Sequence, residues 1–487
     1  MIDIVATKNR ILEMAIHGEL VPHRGTVRQV DEILSNIEIE VKDLEKKKET
    51  KISKTAEMLS DDIFDIPDNW KWVPLGKLCI MLSRGKSPKY SEIKKYPVFA
   101  QKCNQPNELA LWKALFLDET TLEKWPEYFR LRNEDVVINS TGTGTVGRIG
   151  FYTNETLNPK YPFMLPDSHV TVVRTGKGIV SKYIYYVLRT ATLQTIMEKT
   201  FRGSTNQKEF YIDSVYATPI PVPPTEEQEL IVKKLDAVFG MCETIEKLQV
   251  QYKSDIEVLK SKLIDAGMQG KLTEQLPEDG TAEALYADIQ EEKTKLIKEK
   301  KIKKEKALPE ISEEEIPFEI PDSWKWVRWG DLSQSIQYGY NAPAKQDGRI
   351  KMVRISDIQD GKVLWDTVPY CDIDECDIES YMLHENDILF ARTGGTVGKS
   401  YIVTDIPEEV VYAGYLIRTS YSSKLCAKYM KYFMESRLYW RQLQHGTIAT
   451  AQPNCNGQTL SKMIAPLPPY AEQVRIVEKL ERLLELV

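Results

Sequence analysis

Three blocks of this 487-residue chain occur twice and in the same order, and that duplication limits the fold more than any other feature. Residues 66–78 read IPDNWKWVPLGKL and residues 320–332 read IPDSWKWVRWGDL, an offset of 254. NEDVVINSTGTGTVGR at 133–148 aligns with ENDILFARTGGTVGK at 385–399, at an offset of 252 that drops to 251 after one deletion. PIPVPPTEEQELIVKKL at 219–235 aligns with IAPLPPYAEQVRIVEKL at 464–480, at 245. The repeat is circular, because ILEMAIHGEL at 11–20 matches LIDAGMQGKL at 263–272 and the closing segment 471–487 matches 226–242. The chain therefore reads as half a helical module, a globular unit, a complete module, a second globular unit and another half module. Such an order predicts a pseudo-twofold body with its two ends adjacent.

The complete module starts after Val-Pro-Pro at 222–224, where Thr225 is expected as N-cap, with acidic residues in the first turn and Gln228 three places on. Apolar residues then recur at Ile231, Leu235, Val238, Cys242, Ile245, Leu248, Tyr252, Ile256, Leu259 and Leu263, close to a heptad seam. A single apolar stripe must be buried against another helix. The expected partner is a split copy built from both chain ends, contributing Ile476 and Leu480 at one end and Ile4 and Ile11 at the other. This predicts an antiparallel coiled coil. The equivalents of residues 243–252 are absent from the split copy, so either the closing helix is clipped here or the pairing has a gap there. The lysine-rich stretch 291–307 reads as a solvated helix or linker.

The globular units mix short alternating runs (DVVINS, RIGFY, HVTVVR, DILFAR, KSYIV) with helical stretches (YIYYVLR, KYMKYFMESRL), which predicts an α+β fold. Trp70 and Trp72, like Trp324 and Trp326, share one side of a strand and are expected to anchor the start of each unit. Outside the repeated words the units differ: SRGKSPKYSE in the first has no match in QYGYNAPAKQDG of the second. One scaffold with two sets of loops suits readers of two different targets.

Several tempting motifs fail on chemistry. Gly142-Thr-Gly144-Thr-Val-Gly147 has dinucleotide-site spacing but is followed by a strand pattern instead of a helix, so a hairpin turn is expected. TGGTVGKS lacks the first glycine of a phosphate loop, since position 393 is Thr393. Leu467-Pro-Pro-Tyr470 lacks the polar residue an amino-methyltransferase needs to hold a flipped base. Five scattered histidines make a zinc site unexpected, and no catalytic arrangement follows from spacing. Seven single cysteines without a C-x-x-C pair, and an N-terminus unlike a secretory signal, lead to a cytoplasmic expectation. No apolar run approaches a membrane span. The formal net charge of −7 does not exclude nucleic-acid binding, which needs only a local basic face.

Four duplicated words carry a family resemblance: IPD-x-W-x-WV-x-x-G-x-L, the Asp-initiated strand with its G-T-V-G-[KR] turn, P-[LV]-PP-x-x-EQ-x-x-IV-x-KL, and the helix exits AIHGEL and GMQGKL. As an ordered set they resemble the specificity subunits of Type I restriction–modification enzymes over essentially the whole chain. The resemblance implies two mixed α/β target-recognition domains separated by long helices. Residues 1–65 would be a helical half-module and linker, 66–224 the first recognition domain, and 225–319 the central helical spacer and linker. Residues 320–469 would be the second recognition domain and 470–487 the closing helix. It further implies that each domain reads half of a split, asymmetric DNA site. The helices would fix the spacer and dock two methyltransferase subunits, and restriction/translocase subunits would join for cleavage. Cofactors would be absent from this chain, with S-adenosylmethionine, ATP and Mg in the partner subunits.

Phosphates select Lys and Arg; base edges select Arg, Lys, Asn and Gln. The candidate DNA-binding residues of the first domain are Arg84, Lys86, Lys89, Gln101, Lys102, Asn104, Thr141, Thr143, Arg148, Arg202, Asn206 and Gln207. Those of the second are Tyr338, Tyr340, Asn341, Lys345, Arg354, Asp357, Arg392, Thr393, Lys399, Gln452, Asn454 and Asn456. Arg84, Lys102, Arg354 and Arg392 are favoured among them, and Arg148 and Lys399, at one repeat position, are expected on the DNA backbone. The seam residues are Ile231, Leu235, Val238, Ile245, Ile256, Leu263, Ile476 and Leu480. Two other readings compete. One is a self-sufficient DNA methyltransferase or nuclease, for which two readers and their helices leave no length. The other is a coiled-coil scaffold that binds only protein, which would not need basic loops.

Overall fold

The computed structural model describes residues 1–487 except 53–55, 60–62, 107, 204–207, 360 and 447–454. The chain divides into two compact units, Met1–Val250 and Gln251–Val487. The helical segments expected to stand as modules of their own are thus distributed, each packed into the unit it borders. The central helix Thr225–Met268 contributes to both.

In the first unit, strand Lys71–Pro74 pairs antiparallel with Pro219–Val222, closing the globular domain on itself. Its main sheet is antiparallel, in the order Cys79–Arg84, Val170–Thr175, Val136–Asn139, Ile149–Phe151. A second, mixed sheet runs Tyr90–Ser91, Leu115–Leu117, Pro97–Phe99, Leu165–Pro166. The expected strands DVVINS, RIGFY and HVTVVR are all present, and Ser181–Leu188 is the expected helix. The second unit repeats the plan. Lys325–Arg328 pairs with Ile464–Leu467. Its main sheet runs Ser333–Tyr338, Leu416–Tyr421, Ile388–Ala391, Ser400–Ile402.

The 142–147 glycine run is the expected hairpin turn between Val136–Asn139 and Ile149–Phe151. Its last glycine shows why both copies end in one. Gly147 and its counterpart Gly398 have φ of +79° and +91°, and a Cβ on Gly398 would lie 2.3 Å from Leu443 and 2.6 Å from Trp440.

The helix pairing is antiparallel within each unit. In the first, the Gln249 amide donates to Ile2 O at 3.1 Å, the Lys8 ammonium sits 5.9 Å from the Phe239 ring centre, and His23 meets Glu227. Leu12, Ala15 and Ile16 share a core with Ile231 and Leu235. In the second, Ile476 and Leu480 of the closing helix Tyr470–Glu485 pack over Gly267, in a core with Ile264 and Met268. Ile231, Leu235, Ile476 and Leu480 are buried, while Val238, Ile245, Ile256 and Leu263 are half-buried. The seam fails in the middle of the central helix, where Leu248 is 62% and Tyr252 60% exposed. Both lie in the stretch 243–252.

The helix start differs from expectation. Thr225 does not cap; its hydroxyl donates to Gly178 O at 2.7 Å, and Pro224 O accepts from Glu227 N at 2.9 Å and Gln228 N at 3.1 Å. Gln228 and Gln473 are buried tethers. Gln228 donates to Pro223 O and accepts from Val180 N, while Gln473 donates to Pro468 O and accepts from Cys426 N. Glu227 and Glu472 are fully buried and receive the indole N–H of Trp70 (2.9 Å) and Trp324 (2.8 Å). Gly18 and Gly270, at the helix exits, leave room for Pro67 and Pro321 of the IPD words. Three of the duplicated words therefore meet at one junction in each unit. The tryptophans do anchor the domain, through a carboxylate as well as through burial. The second tryptophan of each pair packs against a phenylalanine: Trp72 on Phe64 with ring centres 4.9 Å apart, and Trp326 on Phe318 at 5.1 Å.

Candidate nucleic-acid interface

Each main sheet has two different ends. At one end the aspartate of the second repeated word is buried against an arginine: Asp135 with Arg174 (2.8 and 2.7 Å) and Asp387 with Arg418 (3.7 Å). Burial pushes both carboxyl groups up in pKa, with the arginines pulling against it. These pairs hold the sheet and face no open surface. The other end gathers the loops that differ between the units.

In the first unit that end is built on Ser140, whose N–H donates to His169 O and whose carbonyl accepts from Phe210 N, both at 2.8 Å. The Thr141 hydroxyl lies 2.7 Å from His169 Nδ1 and 3.3 Å from Gln101 Oε1. Arg84, last in its strand, bonds to Glu209 and donates to Phe210 O at 2.7 Å. The Tyr211 ring centre lies 6.0 Å from the Arg84 guanidinium and 5.2 Å from that of Arg202. Arg202 is loosely paired with Asp213 at 3.5 Å and 62% exposed. Lys102 is exposed at the rim, and Thr143 is exposed on the turn.

The remaining candidates of this unit sort differently. Asn104 is fully buried, and its amide donates to Asn139 Oδ1 and Arg148 O. Arg148 returns the tie by donating to Asn104 O at 2.8 Å, a structural knot that occupies one terminal amine. Lys86 turns back to Lys124 O over the Phe129 ring. Lys89 pairs with Asp118 at 2.8 Å; that bond and the Thr120 donors hold the Asp118 carboxyl down to about 2. Asn206 and Gln207 lie outside the described residues.

In the second unit the same end is built on Arg392. Its N–H donates to Tyr415 O at 3.2 Å and its carbonyl accepts from Cys455 N at 3.0 Å, the bonds Ser140 makes in the first unit. The guanidinium lies 4.7 Å from the centre of the Tyr338 ring, and the Tyr338 hydroxyl accepts from Gly457 N at 3.1 Å. Asn341, Lys345 and Lys399 are exposed and Thr393 is half-buried; Lys345 pairs with Asp372. Tyr340 packs on Tyr381, ring centres 5.2 Å apart. Arg354 is tied to buried Asp357 through Nε (3.0 Å) and Nη2 (2.7 Å) while its side chain stays 40% exposed. Asn456 caps the helix Gly457–Lys462 by accepting from Thr459 N at 2.9 Å. Gln452 and Asn454 lie outside the described residues.

Sequence reasoning missed His169, Tyr211 and Tyr415, which are exposed at this end of their sheets. A signal existed for two of them: His169 and Tyr415 each stand one residue before the first strand residue (Val170, Leu416) at the same offset of 246. Among the described residues no group of three or more His, Cys, Asp and Glu is arranged to hold a metal ion. Nor is any described helix long and apolar enough to cross a membrane.

Duplicated α+β domains, joined to helices through a Trp–Glu junction and carrying divergent polar loops at one sheet end, define a paired recognition scaffold. The chain belongs to the family of Type I restriction modification DNA specificity domains, whose model matches residues 67–253 and 321–487. It is 25% identical to the Type I restriction enzyme EcoAI specificity subunit of Escherichia coli, over 98% of this chain and 88% of that one. It is 24% identical to the EcoEI specificity subunit of the same organism, over 97% and 87%. Among solved structures, it matches a chain from a type I R-M system assembly with a TM-score of 0.58 at 16% identity, over 87% of this chain and 92% of that one. The HsdS subunit from Thermoanaerobacter tengcongensis matches with a TM-score of 0.51 at 16% identity, over 88% and 92%. At that identity the structural matches speak for the fold.

Proposed function

We propose that this chain is the DNA-reading specificity subunit of a Type I restriction–modification enzyme, and that each unit reads one half of a two-part, asymmetric site. The observation that carries this reading is the placement of divergent polar, basic and aromatic loops at the same sheet end of two otherwise matched domains. A shared frame with different loops gives two registers on DNA and two sets of base contacts. The chain itself performs no chemistry: adenine methylation with S-adenosylmethionine, and ATP- and Mg-dependent restriction, belong to partner subunits, in the cytoplasm. The exposed apolar side chains of the central helix support a docking role for it. They are Met241, Leu248 and Val250 in the first unit and Tyr252, Val258 and Leu259 in the second.

The test is methyl transfer from labelled S-adenosylmethionine to DNA, with this chain alone and with its cognate modification subunit, followed by mapping of the modified adenines. Transfer only in the mixture, at a two-part motif, is expected. Transfer by the chain alone would overturn the non-catalytic reading, and no transfer in either would favour a protein-binding scaffold.

A further inference from the structure

The two reading ends differ at one framework position, and the difference assigns a base contact. Register fixes the equivalence: Arg84 stands opposite Thr171 and Tyr338 opposite Ile417 on matching strands. Ser140 and Arg392 make the same pair of backbone bonds. In the first unit the strand-end residue Arg84 pins the returning segment, with both terminal amines bonded, to Glu209 and to Phe210 O. Ser140 is buried, its hydroxyl 2.6 Å from that of Thr171. In the second unit Tyr338 does the pinning, through its hydroxyl on Gly457 N, and the arginine has moved to position 392. There, among the described residues, its side chain has a single long hydrogen bond, 3.4 Å to Gly414 O from Nη1. Its Nε has no partner, and no carboxylate pairs with it among the described residues.

We infer that Arg392, held beside the Tyr338 ring, is the guanine-reading residue of the second unit. A planar guanidinium whose terminal amines make one long hydrogen bond among the described residues can meet the O6 and N7 acceptors of guanine in the major groove, and the Tyr338 ring beside it limits where it can move before DNA arrives. A phosphate can take the same fork; the base assignment rests on where Arg392 stands, at the framework position beside the loops that differ between the units, and the variants below separate the two contacts. The first unit has no equivalent free arginine at this position, so the contact belongs to one half-site only. The inference rests on the DNA-reading function proposed above.

The experiment uses the full chain in complex with its cognate modification subunit. Modified motifs are mapped for the wild type, Arg392→Lys and Arg392→Gln, with thermal unfolding as the folding control. The wild-type half-site is then tested with 7-deazaguanine replacing each guanine in turn, which removes N7. Arg392→Lys keeps the charge but not the fork. It is expected to lose about 5- to 150-fold discrimination at one G·C pair while the other half-site is unchanged. 7-Deazaguanine at that pair should weaken the wild type and leave Arg392→Gln indifferent. An unaltered motif in both variants would overturn the assignment. So would a uniform loss in Arg392→Gln that Arg392→Lys restores, the mark of a phosphate contact. If the wild-type complex modifies no two-part site, the functional reading falls, and the assignment with it.

Discussion

Glutamine in place of Glu227 should damage the first unit far more than the same change at Glu472 damages the second. The two glutamates hold equivalent junctions, but their donors differ in adaptability. Glu227 Oε1 accepts from the Trp70 indole and from His23 Nδ1, both at 2.9 Å; Oε2 accepts from Arg24 N at 2.9 Å and Asn69 Nδ2 at 2.7 Å. Each oxygen thus faces one donor that cannot reverse, an indole N–H on one side and a backbone N–H on the other. Whichever way the amide of Glu227→Gln is turned, its NH2 is aimed at a fixed N–H. The fixed N–H and the amide hydrogen facing it then lack an acceptor, at about 1–3 kcal/mol each, and a charge-assisted bond is lost as well. The expected cost is about 3–5 kcal/mol, which for a unit of this size lowers Tm by about 10 °C. At Glu472, Oε2 faces the Trp324 indole (2.8 Å), while Oε1 faces the Thr273 hydroxyl (3.0 Å) and the Gln275 amide (2.8 Å). The hydroxyl can rotate and the amide can flip, so Glu472→Gln keeps its oxygen on the indole and finds acceptors for its NH2. A cost of about 0–1.5 kcal/mol is expected. Scanning calorimetry of the two single variants against the wild type decides it. Equal losses, or a neutral Glu227→Gln, would refute the argument from fixed and adaptable donors.

Three further outcomes follow from the geometry. Gly398→Ala should cost about 2–4 kcal/mol in urea unfolding, because its left-handed φ is compounded by the clash with Leu443 and Trp440. Gly144→Ala, at φ +69° with open space around it, should lose only about 1–2 kcal/mol; similar losses for the two would contradict the packing argument. Glu315 is held down to about 2, chiefly by its bonds to Arg328 and then by Ser312 N. Because its folded value is depressed, its stabilisation is present above the usual carboxylate range near pH ~4.3 and is lost as pH falls towards 2. Glu315→Gln should therefore flatten the stability profile across that window, and an unchanged acid slope would speak against the linkage. Lys102→Ala should weaken DNA binding about equally for all sequences and reduce the slope of log K against log salt by about 1, whereas a changed motif would make Lys102 a base reader.

The duplicated words were legible in the sequence as words, but their job was not. IPD-x-W and PP-x-x-EQ lie about 155 residues apart, and nothing local shows that Trp70 and Glu227 share a hydrogen bond. Local rules assigned Thr225 and Gln228 to helix capping, because Thr before an acidic turn usually caps. Tertiary contacts with Gly178, Pro223 and Val180 took those side chains instead. Composition likewise singled out basic residues for DNA without showing which were already engaged. Arg354, Lys89 and Arg148 have partners within their own domains.

The sequence by itself determined the duplication, its circular order, and the strand and hairpin pattern. All of these are written in the periodicity and spacing of residues along one chain. Only the tertiary structure decided which end of each sheet carries open polar loops and which carries a buried Asp–Arg pair. It also decided that the strand-end arginine of one unit is engaged while that of the other has been replaced by a tyrosine and moved to position 392. The reason is physical. Periodicity reports which face of an element is buried, whereas the availability of a guanidinium depends on carboxylates and carbonyls brought to it from distant parts of the chain.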